Sequence, residues 1–278
     1  MINADDFSAS NDTNMIQAAI DYAYANNVKD VLLIDRNYAI TGPIVIKEGV
    51  ALHFSHGSKF IVTGGFRVVE LQRNAALIGA YIAIDDPGFN STVIYLDGKH
   101  KYYNSWFKAQ VIDATIINWS GSHKGTGLYL HSNGPGHEIS FVTFRNVKLV
   151  GFNTGVYLRA LKPQSGYSYI NGNNFENIVI DDCVNCIRLV SAETVPNECS
   201  GNTFKSLQIQ TSTATTNVLI TNGQYNEFDG MVWDLANIPH NNAIVQLTNT
   251  SSYNLFAIRN VPLSRITDNG QSNKKEIL

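Results

Sequence analysis

The sequence predicts an all-β protein, a right-handed single-stranded parallel β-helix with a short N-terminal helical cap. Three observations predict this fold: one amphipathic helix near the start, many short apolar runs after it, and an internal repeat built from those runs. Hydrophobic residues make up 44% of the 278 residues and charged residues 15%. This composition supplies a sizeable core and excludes a disordered chain.

The helix is predicted over residues 12–27, with Asp12 or Thr13 as its N-cap and the Asn26-Asn27 pair at its end. Its apolar side chains recur with the spacing of one helical face. These residues are Met15, Ile16, Ala19, Ile20 and Ala23.

After the helix, short apolar runs alternate with Gly, Asn, Asp and Ser, which is typical of strands separated by turns. No second helix of useful length is predicted. The first runs are residues 31–34, 44–46, 50–52 and 60–62.

An internal repeat links these strands. Residues 144–149 match residues 175–180, and residues 155–158 match 186–189, both at an offset of 31 residues. One such unit cannot bury its own apolar side, so successive units must stack and pair strand to strand. A β-sandwich, the main alternative, does not predict matching residues at a fixed offset. Further units start at Leu77, Val111, Phe204, Phe228 and Phe256.

The alignment of the repeated units, which we call the repeat frame, also predicts which side chains face the core. After Phe228 it places Met231 and Trp233 inside, and it places Val218 and Ile220 inside on the preceding strand.

Asparagine stands two residues before phenylalanine in four successive units. This placement predicts a ladder of hydrogen-bonded amides between coils, although Asn is also simply common in turns. The four residues are Asn173, Asn202, Asn226 and Asn254.

Charge and apolar patterning exclude several classes of partner. The net charge of −3, from 20 basic and 23 acidic residues, supplies no basic field for nucleic acid. No apolar run approaches the roughly 20 residues that cross a bilayer, so membrane insertion is not expected. Residues 1–6 resemble no signal peptide, so we expect synthesis in the cytoplasm, or secretion if a leader was removed.

No cofactor and no metal are expected, because metal-ligand clusters, phosphate loops and nucleotide fingerprints are missing from the sequence. The three cysteines, Cys183, Cys186 and Cys199, form no disulfide framework and are predicted to be buried thiols.

The repeat frame places two outward ladders side by side on one face. Tyrosines suit sugar binding, histidine suits proton transfer, and arginine suits a carboxylate or phosphate. Tyr95, Tyr129, Tyr157, Arg159 and Arg188 are therefore candidate substrate-binding residues, and His131 and Asp97 are candidate catalytic residues. An aromatic ladder that covers the sheet or a subunit contact is the alternative. The ladders are Tyr95, Tyr129, Tyr157, Arg188, Leu219, Gln246 and Asp97, His131, Arg159, Val190, Thr221, Thr248.

Asp181 and Asp234 form a second candidate catalytic pair. The frame gives them equivalent outward positions two coils apart, with Gln210 between them. Two strand spacings are about 9.6 Å, near the upper limit for an inverting glycosidase. Solvated acids in surface turns are the alternative.

The opening of the chain resembles the pectate-lyase-like (pectin-lyase-like) β-helix proteins. Residues 5–21, DDFSASNDTNMIQAAID, are similar to the segment that forms an N-terminal helix over the first coil in that family, and residues 31–52 are similar to its next coils. Bacteriophage tail spikes and appendage proteins open this way. The resemblance implies three parts: a capping segment over residues 1–30, a β-helix over 31–262 and a tail over 263–278.

For function, the resemblance implies a virion tail protein, made in the host cytoplasm, that binds a host cell-surface polysaccharide and is a candidate depolymerase, a lyase or a glycoside hydrolase. It also implies a homotrimer. A free-standing polysaccharide lyase or glycoside hydrolase and a non-catalytic structural or adhesive virion protein remain alternatives, since one fold hosts many functions.

Two segments are similar to polygalacturonase motifs, residues 134–140 (GPGHEIS) and 181–184 (DDCV). In that family the aspartate pair precedes the histidine motif, whereas here it follows, and the family's NTD motif is missing. We therefore carry no catalytic roles over from it.

Overall fold

The computed structural model describes residues 1–191 and 198–276 of the chain. Its strands form three sheets in which each strand pairs in parallel with its equivalent one coil on. The fold is thus the predicted parallel β-helix. We call the sheets A, B and C.

Sheet A has fifteen strands and sheet B has nine. The strands of sheet A are Ile2–Asn3, Asp30–Leu33, Asn37–Ile40, Ala51–Phe54, Lys59–Val62, Ala76–Ile78, Tyr81–Ile84, Gln110–Asn118, Thr143–Val150, Asn174–Glu176, Val179–Asp181, Thr203–Gln210, Glu227–Trp233, Leu255–Arg259 and Lys274–Lys275. The strands of sheet B are Ile44–Ile46, Val69–Leu71, Thr92–Asp97, Thr126–Ser132, Thr154–Ala160, Asn185–Ser191, Asn217–Thr221, Val245–Leu247 and Ile266–Asp268.

Sheet C is shorter and has four strands: Tyr102–Tyr103, His137–Ser140, Ser168–Asn171 and Cys199–Ser200. Short 3-10 helices connect some strands, at Ala4–Asp6, Gly98–His100, Leu235–Asn237 and Leu263–Arg265.

The single α-helix of the described residues runs from Asp12 to Ala25, close to the predicted range. Its N-cap is Asn11, whose side chain accepts a hydrogen bond from the backbone N–H of Asn14. The predicted caps, Asp12 and Thr13, were therefore wrong; both lie in the first turn. The predicted apolar stripe is buried, as expected, against the first coils.

A column of stacked phenylalanines fills the core. Phe144, Phe175, Phe204 and Phe228 are fully buried, and adjacent ring centroids lie 4.2–5.1 Å apart. The strand register pairs each with the next, and Phe228 with Phe256. The predicted starting points of these units are confirmed.

The predicted asparagine ladder is also confirmed, and it extends one coil further. Each side-chain amide donates to the Oδ1 of the next asparagine at 2.9–3.0 Å, ending on Asn273. The same Oδ1 atoms accept from the backbone N–H groups of the preceding asparagines. A buried turn thus satisfies its polar groups from within the ladder.

Sheet A bends once per coil at a residue with left-handed backbone. Asp113, Asn146, Asn177 and Ser206 hold this position, with φ between 53° and 56°. The Asn146 amide donates to Asp113 Oδ1 at 2.7 Å, and the Asn177 amide donates to Asn146 Oδ1 at 2.9 Å. Asn and Asp tolerate this conformation best among non-glycine residues.

One coil lacks a residue at this bend, and two core predictions fail there. Leu207 pairs with Gly230, and Ile209 pairs with Val232. Met231 and Trp233 therefore point outward, not into the core as predicted. The repeat frame assumed a constant distance from Phe228 to the next inward residue.

A similar shift occurs in sheet B. Arg188 pairs with Ile220, while Leu219 and Thr221 are buried. The predicted outward ladders are correct as far as Arg188 and Val190, wrong at Leu219 and Thr221, and correct again at Gln246. Ile220, which was predicted to face the core, takes the outward position instead. The two-residue alternation slips where one more or one fewer residue stands in the preceding turn.

The three cysteines are buried and unpaired, as predicted. Burial raises the pKa of Cys183 and of Cys199 to about 12. None of the helices in the described part of the chain is long and apolar enough to span a membrane. Strand pairing continues at Ile266–Asp268 and Lys274–Lys275; residues 277–278 of the predicted tail lie outside the described residues.

Candidate functional site

The outward face of sheet B brings together most of the residues singled out in the sequence. Tyr95, Tyr129 and Tyr157 lie in register on three successive strands, and Arg188 continues the ladder on the fourth. The neighbouring outward ladder is Asp97, His131, Arg159 and Val190. We call these two ladders and the charged residues around them the sheet B cluster.

The tyrosine rings pack against one another and between two guanidinium groups. Tyr129 and Tyr157 stack at 4.8 Å and 9°, whereas Tyr95 meets Tyr129 edge to face at 5.5 Å. Arg67 lies over Tyr95 at 3.5 Å and Arg188 over Tyr157 at 5.4 Å. Tyr95 is buried, at 4% exposure, whereas Tyr129 and Tyr157 are half-buried. Of the three predicted binding tyrosines, only Tyr129 and Tyr157 are therefore accessible to a ligand, and by their ring edges.

The tyrosine hydroxyls contact the second ladder. Tyr95 Oη donates to Asp97 Oδ2 at 3.3 Å, and Tyr129 Oη lies 3.0 Å from His131 Nδ1. Burial raises the pKa of both tyrosines, with Asp97 adding to the effect at Tyr95. Both hydroxyls are therefore protonated at neutral pH, and the one proton of the Tyr95 hydroxyl is already donated to Asp97.

His131 lies in surroundings that favour its neutral form. Burial lowers the pKa of His131; the Asp97 carboxylate opposes this, and the positive charge of Arg159 adds to it. A hydrogen bond with Tyr129 raises the pKa of Arg159. At neutral pH the site thus contains an uncharged imidazole beside a fixed positive charge.

Glu70 anchors the charged end of the cluster. It precedes Tyr95 in the ladder and accepts from His100 Nε2 at 2.9 Å and Arg67 Nη1 at 2.8 Å. The His100 hydrogen bond is the largest factor lowering the pKa of Glu70, to about 2, although burial opposes it. Lys99 bridges Glu70 and Asp97 at 3.3 Å from each.

Sequence reasoning missed several members of the cluster. Glu70 stands between two inward residues of the strand Val69–Leu71, one coil before Tyr95, so the same alternation would have found it. His137 Nδ1 lies 3.9 Å from Asp97 Oδ1. His100 ends the short 3-10 helix Gly98–His100 and His137 begins a strand of sheet C, and the repeat predicts neither element.

The second predicted pair is not brought into the expected register. Asp181 pairs with Gln210, and Gln210 pairs with Trp233. Asp234 is the next residue, in a left-handed turn, where its Oδ2 accepts from the Gln210 amide at 2.6 Å. The equivalence of Asp181 and Asp234 was therefore wrong, because the shortened bend advances this strand by one residue.

Asp181 nonetheless has features of a proton donor. Burial, and then the charge of Asp182, raise the pKa of its carboxyl group. Asp182 in turn pairs with His123 at 2.8 Å. The exposed indole of Trp233 lies two strands away in the same ladder.

A groove of about 420 Å³ lies elsewhere, on sheet A. Its floor includes Ala51 and Ala76, and His53 pairs there with Asp30 at 2.8 Å. We place the candidate site on sheet B instead, since several titratable groups converge there on one face. In the described residues, no group of three or more His, Cys, Asp or Glu side chains is arranged to hold a metal ion.

The sequence matches no protein-family model and no curated protein. A search of solved structures finds a double-mutant tailspike protein of E. coli bacteriophage HK620, in complex with a pentasaccharide. That structure is 12% identical over 100% of this chain and 66% of its own, with a TM-score of 0.53.

A second structure of the HK620 tailspike gives 13% identity over 96% of this chain and 63% of its own, with a TM-score of 0.47. The tailspike gp49 of Acinetobacter baumannii bacteriophage Fri1, a capsular polysaccharide depolymerase, gives 11% identity over 100% of this chain and 61% of its own, with a TM-score of 0.28. This chain thus spans less than two thirds of the length of each tailspike chain. At such low identity the likeness concerns the fold alone: the chain has a parallel β-helix fold like that of the HK620 tailspike.

Proposed function

We propose that this chain is a tailspike- or appendage-type virion protein that binds a host cell-surface polysaccharide through the sheet B cluster. The observation that carries the proposal is the convergence of His131, Tyr129 and Arg159 on one outward face. Hydroxyl groups and guanidinium groups together suit an acidic sugar. The β-helix likeness to the HK620 tailspike supports a location in the virion tail, where we also propose a homotrimeric assembly.

We further propose that the cluster cleaves an acidic polysaccharide by elimination. With its hydrogen on Nδ1, a neutral His131 donates to Tyr129 Oη and keeps Nε2 free to take a proton. Arg159 pairs with the uronate carboxylate and stabilises the negative charge that develops beside it. His131 removes the adjacent carbon-bound proton, the electron pair forms a C=C bond, and the glycosidic oxygen leaves and takes a proton from water.

Hydrolysis at Asp181 is the second candidate. The raised pKa of Asp181 favours a protonated carboxyl group that can donate to a leaving oxygen. Asp234, in contrast, is turned into a neighbouring bend and hydrogen-bonded to Gln210. The geometry therefore favours elimination at His131 over a paired-carboxylate hydrolysis.

The experiment incubates the protein with purified bacterial capsular and cell-wall polysaccharides. Fragment size and the ultraviolet absorbance of unsaturated uronates are followed, and light scattering gives the mass of the protein. We expect a trimer that shortens an acidic polysaccharide and produces the unsaturated absorbance. His131→Ala should abolish cleavage, Arg159→Gln should raise KM and lower kcat, and Asp181→Asn should leave cleavage intact.

Other outcomes select the alternatives. Cleavage without the unsaturated absorbance, lost in Asp181→Asn, would establish a hydrolase. A trimer that binds polysaccharide but never shortens it would leave the cluster as a recognition site of an adhesive virion protein. An active monomer would establish a free-standing polysaccharide enzyme, and a protein that neither binds nor cleaves would be structural.

A further inference from the structure

A second surface of the β-helix carries features that the sheet B cluster does not explain. At one corner, the residue before each asparagine of the ladder has left-handed backbone, as has Phe141 one coil earlier, with φ between 53° and 66°. The adjacent strand and bridge pairings place these residues one above another along the axis. We call them the aromatic corner: Phe141, Gly172, Gly201, Tyr225, Tyr253 and Ser272.

Three of these positions hold aromatic residues in a backbone conformation that glycine adopts at lower cost. Bulky residues are rare in this conformation, and the same corner uses glycine at Gly172 and Gly201. The rings of Phe141, Tyr225 and Tyr253 are also 48%, 58% and 49% exposed. Neither backbone geometry nor core packing explains these side chains.

The exposed rings are ordered relative to one another. Tyr225 and Tyr253 stack with centroids 5.0 Å apart and planes 5° apart. At the other end, Tyr103 contacts Phe141 at 5.6 Å and Trp106 at 5.9 Å. The two coils between these ring pairs have glycine at the corner. Phe141 and Tyr225 therefore lie three coils, or roughly 14 Å, apart along the axis.

The column next to the aromatic corner is polar and uncharged. It consists of the residues immediately before the corner positions, and these are neutral amides and hydroxyls in every coil. Neither column contains a charged residue, in contrast to the sheet B cluster. The polar residues are Ser140, Asn171, Ser200, Gln224, Ser252 and Gln271.

This combination fits one kind of ligand. Aromatic rings pack against the C–H faces of sugars, while hydroxyls and amides exchange hydrogen bonds with sugar hydroxyls. The lack of charged side chains in both columns argues against acidic sugars. A protein partner is also disfavoured, because the exposed rings alternate with glycines and polar groups, unlike the apolar centre of a protein interface. A polymer laid along the axis would meet rings at both ends and polar groups between them.

We propose that the aromatic corner binds uncharged sugar residues of a polysaccharide chain that runs along the β-helix axis. This site is separate from the sheet B cluster and does not depend on catalysis there. It would hold the polymer on the protein, with Tyr225 and Tyr253 as the main contacts and Phe141 and Trp106 as a second contact point.

The test uses the double variant Tyr225→Gly/Tyr253→Gly, because glycine already occupies this corner and suits its backbone. Binding is measured on an array of purified bacterial O-polysaccharides and capsules, in uncharged and acidic sets, at low and high salt. We expect the wild type to bind at least one uncharged polysaccharide with little dependence on salt. The double variant should bind it roughly tenfold more weakly or worse, with an unchanged or higher Tm.

Tyr24→Ala, which removes an exposed tyrosine on the N-terminal helix, is the matched control and should bind like the wild type. His131→Ala should also keep this binding, which separates failure of the cleavage proposal from failure of this one. The proposal is overturned if no uncharged polysaccharide binds, or if the double variant binds as well as the wild type. A lower oligomeric mass of the double variant would instead identify the corner as a contact between copies of the chain, and would also overturn it.

Discussion

Tyr129 Oη and His131 Nδ1 lie 3.0 Å apart on one strand, two residues from each other and on the same outward face. Strand alternation alone produces this proximity, because residues i and i+2 share a face. The next coil adds Arg159 directly beside His131. The pKa of the His131 imidazole therefore depends on its contacts with both Tyr129 and Arg159.

We predict that His131 titrates below its ordinary pKa of 6.5, because burial and the Arg159 charge both disfavour the imidazolium. Arg159→Gln should raise the pKa of His131, and Asp97→Asn should lower it further. Imidazole C–H signals followed by NMR between pH 4 and pH 8 measure these changes. Arg145→Gln, which removes a guanidinium from the outward face of sheet A, is the control. A wild-type value at or above 6.5 would contradict the placement of His131 in the cluster.

Glu70 is predicted to make stability depend on pH. Its pKa falls from an ordinary value of 4.5 to about 2 in the folded chain, so below pH 4.5 the unfolded chain binds more protons than the folded one. Its contribution, about 3 kcal/mol at neutral pH, is fully present above pH 4.5 and is lost as the pH falls towards 2.

Glu70→Gln should therefore lower the free energy of unfolding by up to about 3 kcal/mol at pH 7 and by little near pH 2. Urea denaturation at a series of pH values measures the difference. Glu176→Gln, which neutralises an exposed carboxylate of sheet A, should change stability by a few tenths of a kcal/mol at most. If the free energies of unfolding of wild type and Glu70→Gln changed with pH in parallel, the ion pairs around Glu70 would contribute nothing to stability.

The asparagine ladder is predicted to be a main source of stability. Asn202 accepts from both the backbone and the amide of Asn173, and donates to Asn226 Oδ1 and to the carbonyl of Ile170. Asn202→Ala leaves buried donors and acceptors on both neighbouring coils without partners. We expect a loss of about 3 kcal/mol or more in the free energy of unfolding.

Chemical denaturation measures this loss, with Asn90→Ala as the control because Asn90 is an exposed asparagine outside the ladder. A loss below about 1 kcal/mol would mean that water or neighbouring residues replace the ladder bonds. Asn202→Asp keeps the acceptor but removes the amide donor. Asn202→Asp should lower the free energy of unfolding less than Asn202→Ala does only at acidic pH, where a protonated carboxyl group can donate a hydrogen bond in place of the amide.

The fold was predictable from sequence because successive coils repeat apolar inward residues at matching positions and the later coils also repeat the same asparagine. Local length changes were not predictable: one residue fewer between Phe228 and Gly230 turns Met231 and Trp233 outward and moves Asp234 out of register with Asp181. The tyrosine ladder was predictable because its strands keep a constant length from Tyr95 to Arg188. His100, at the end of a 3-10 helix, and His137, at the start of a sheet C strand, reach the cluster through tertiary packing, which no two-residue alternation encodes.

Gly230 is predicted to be indispensable for the shortened bend. A Cβ atom there would lie 2.3 Å from the Leu207 carbonyl oxygen and 2.5 Å from its Cβ, so the two coils would have to separate. Gly230→Ala should lower the free energy of unfolding by about 2 kcal/mol or more. Gly65→Ala is the matched control, because a Cβ atom added there would meet nothing within 4 Å and its backbone is not left-handed, and it should be neutral or slightly stabilising. Equal stabilities of the two variants, measured by urea denaturation, would contradict the pairing of Gly230 with Leu207 and with it the one-residue shift that separates Asp234 from Asp181.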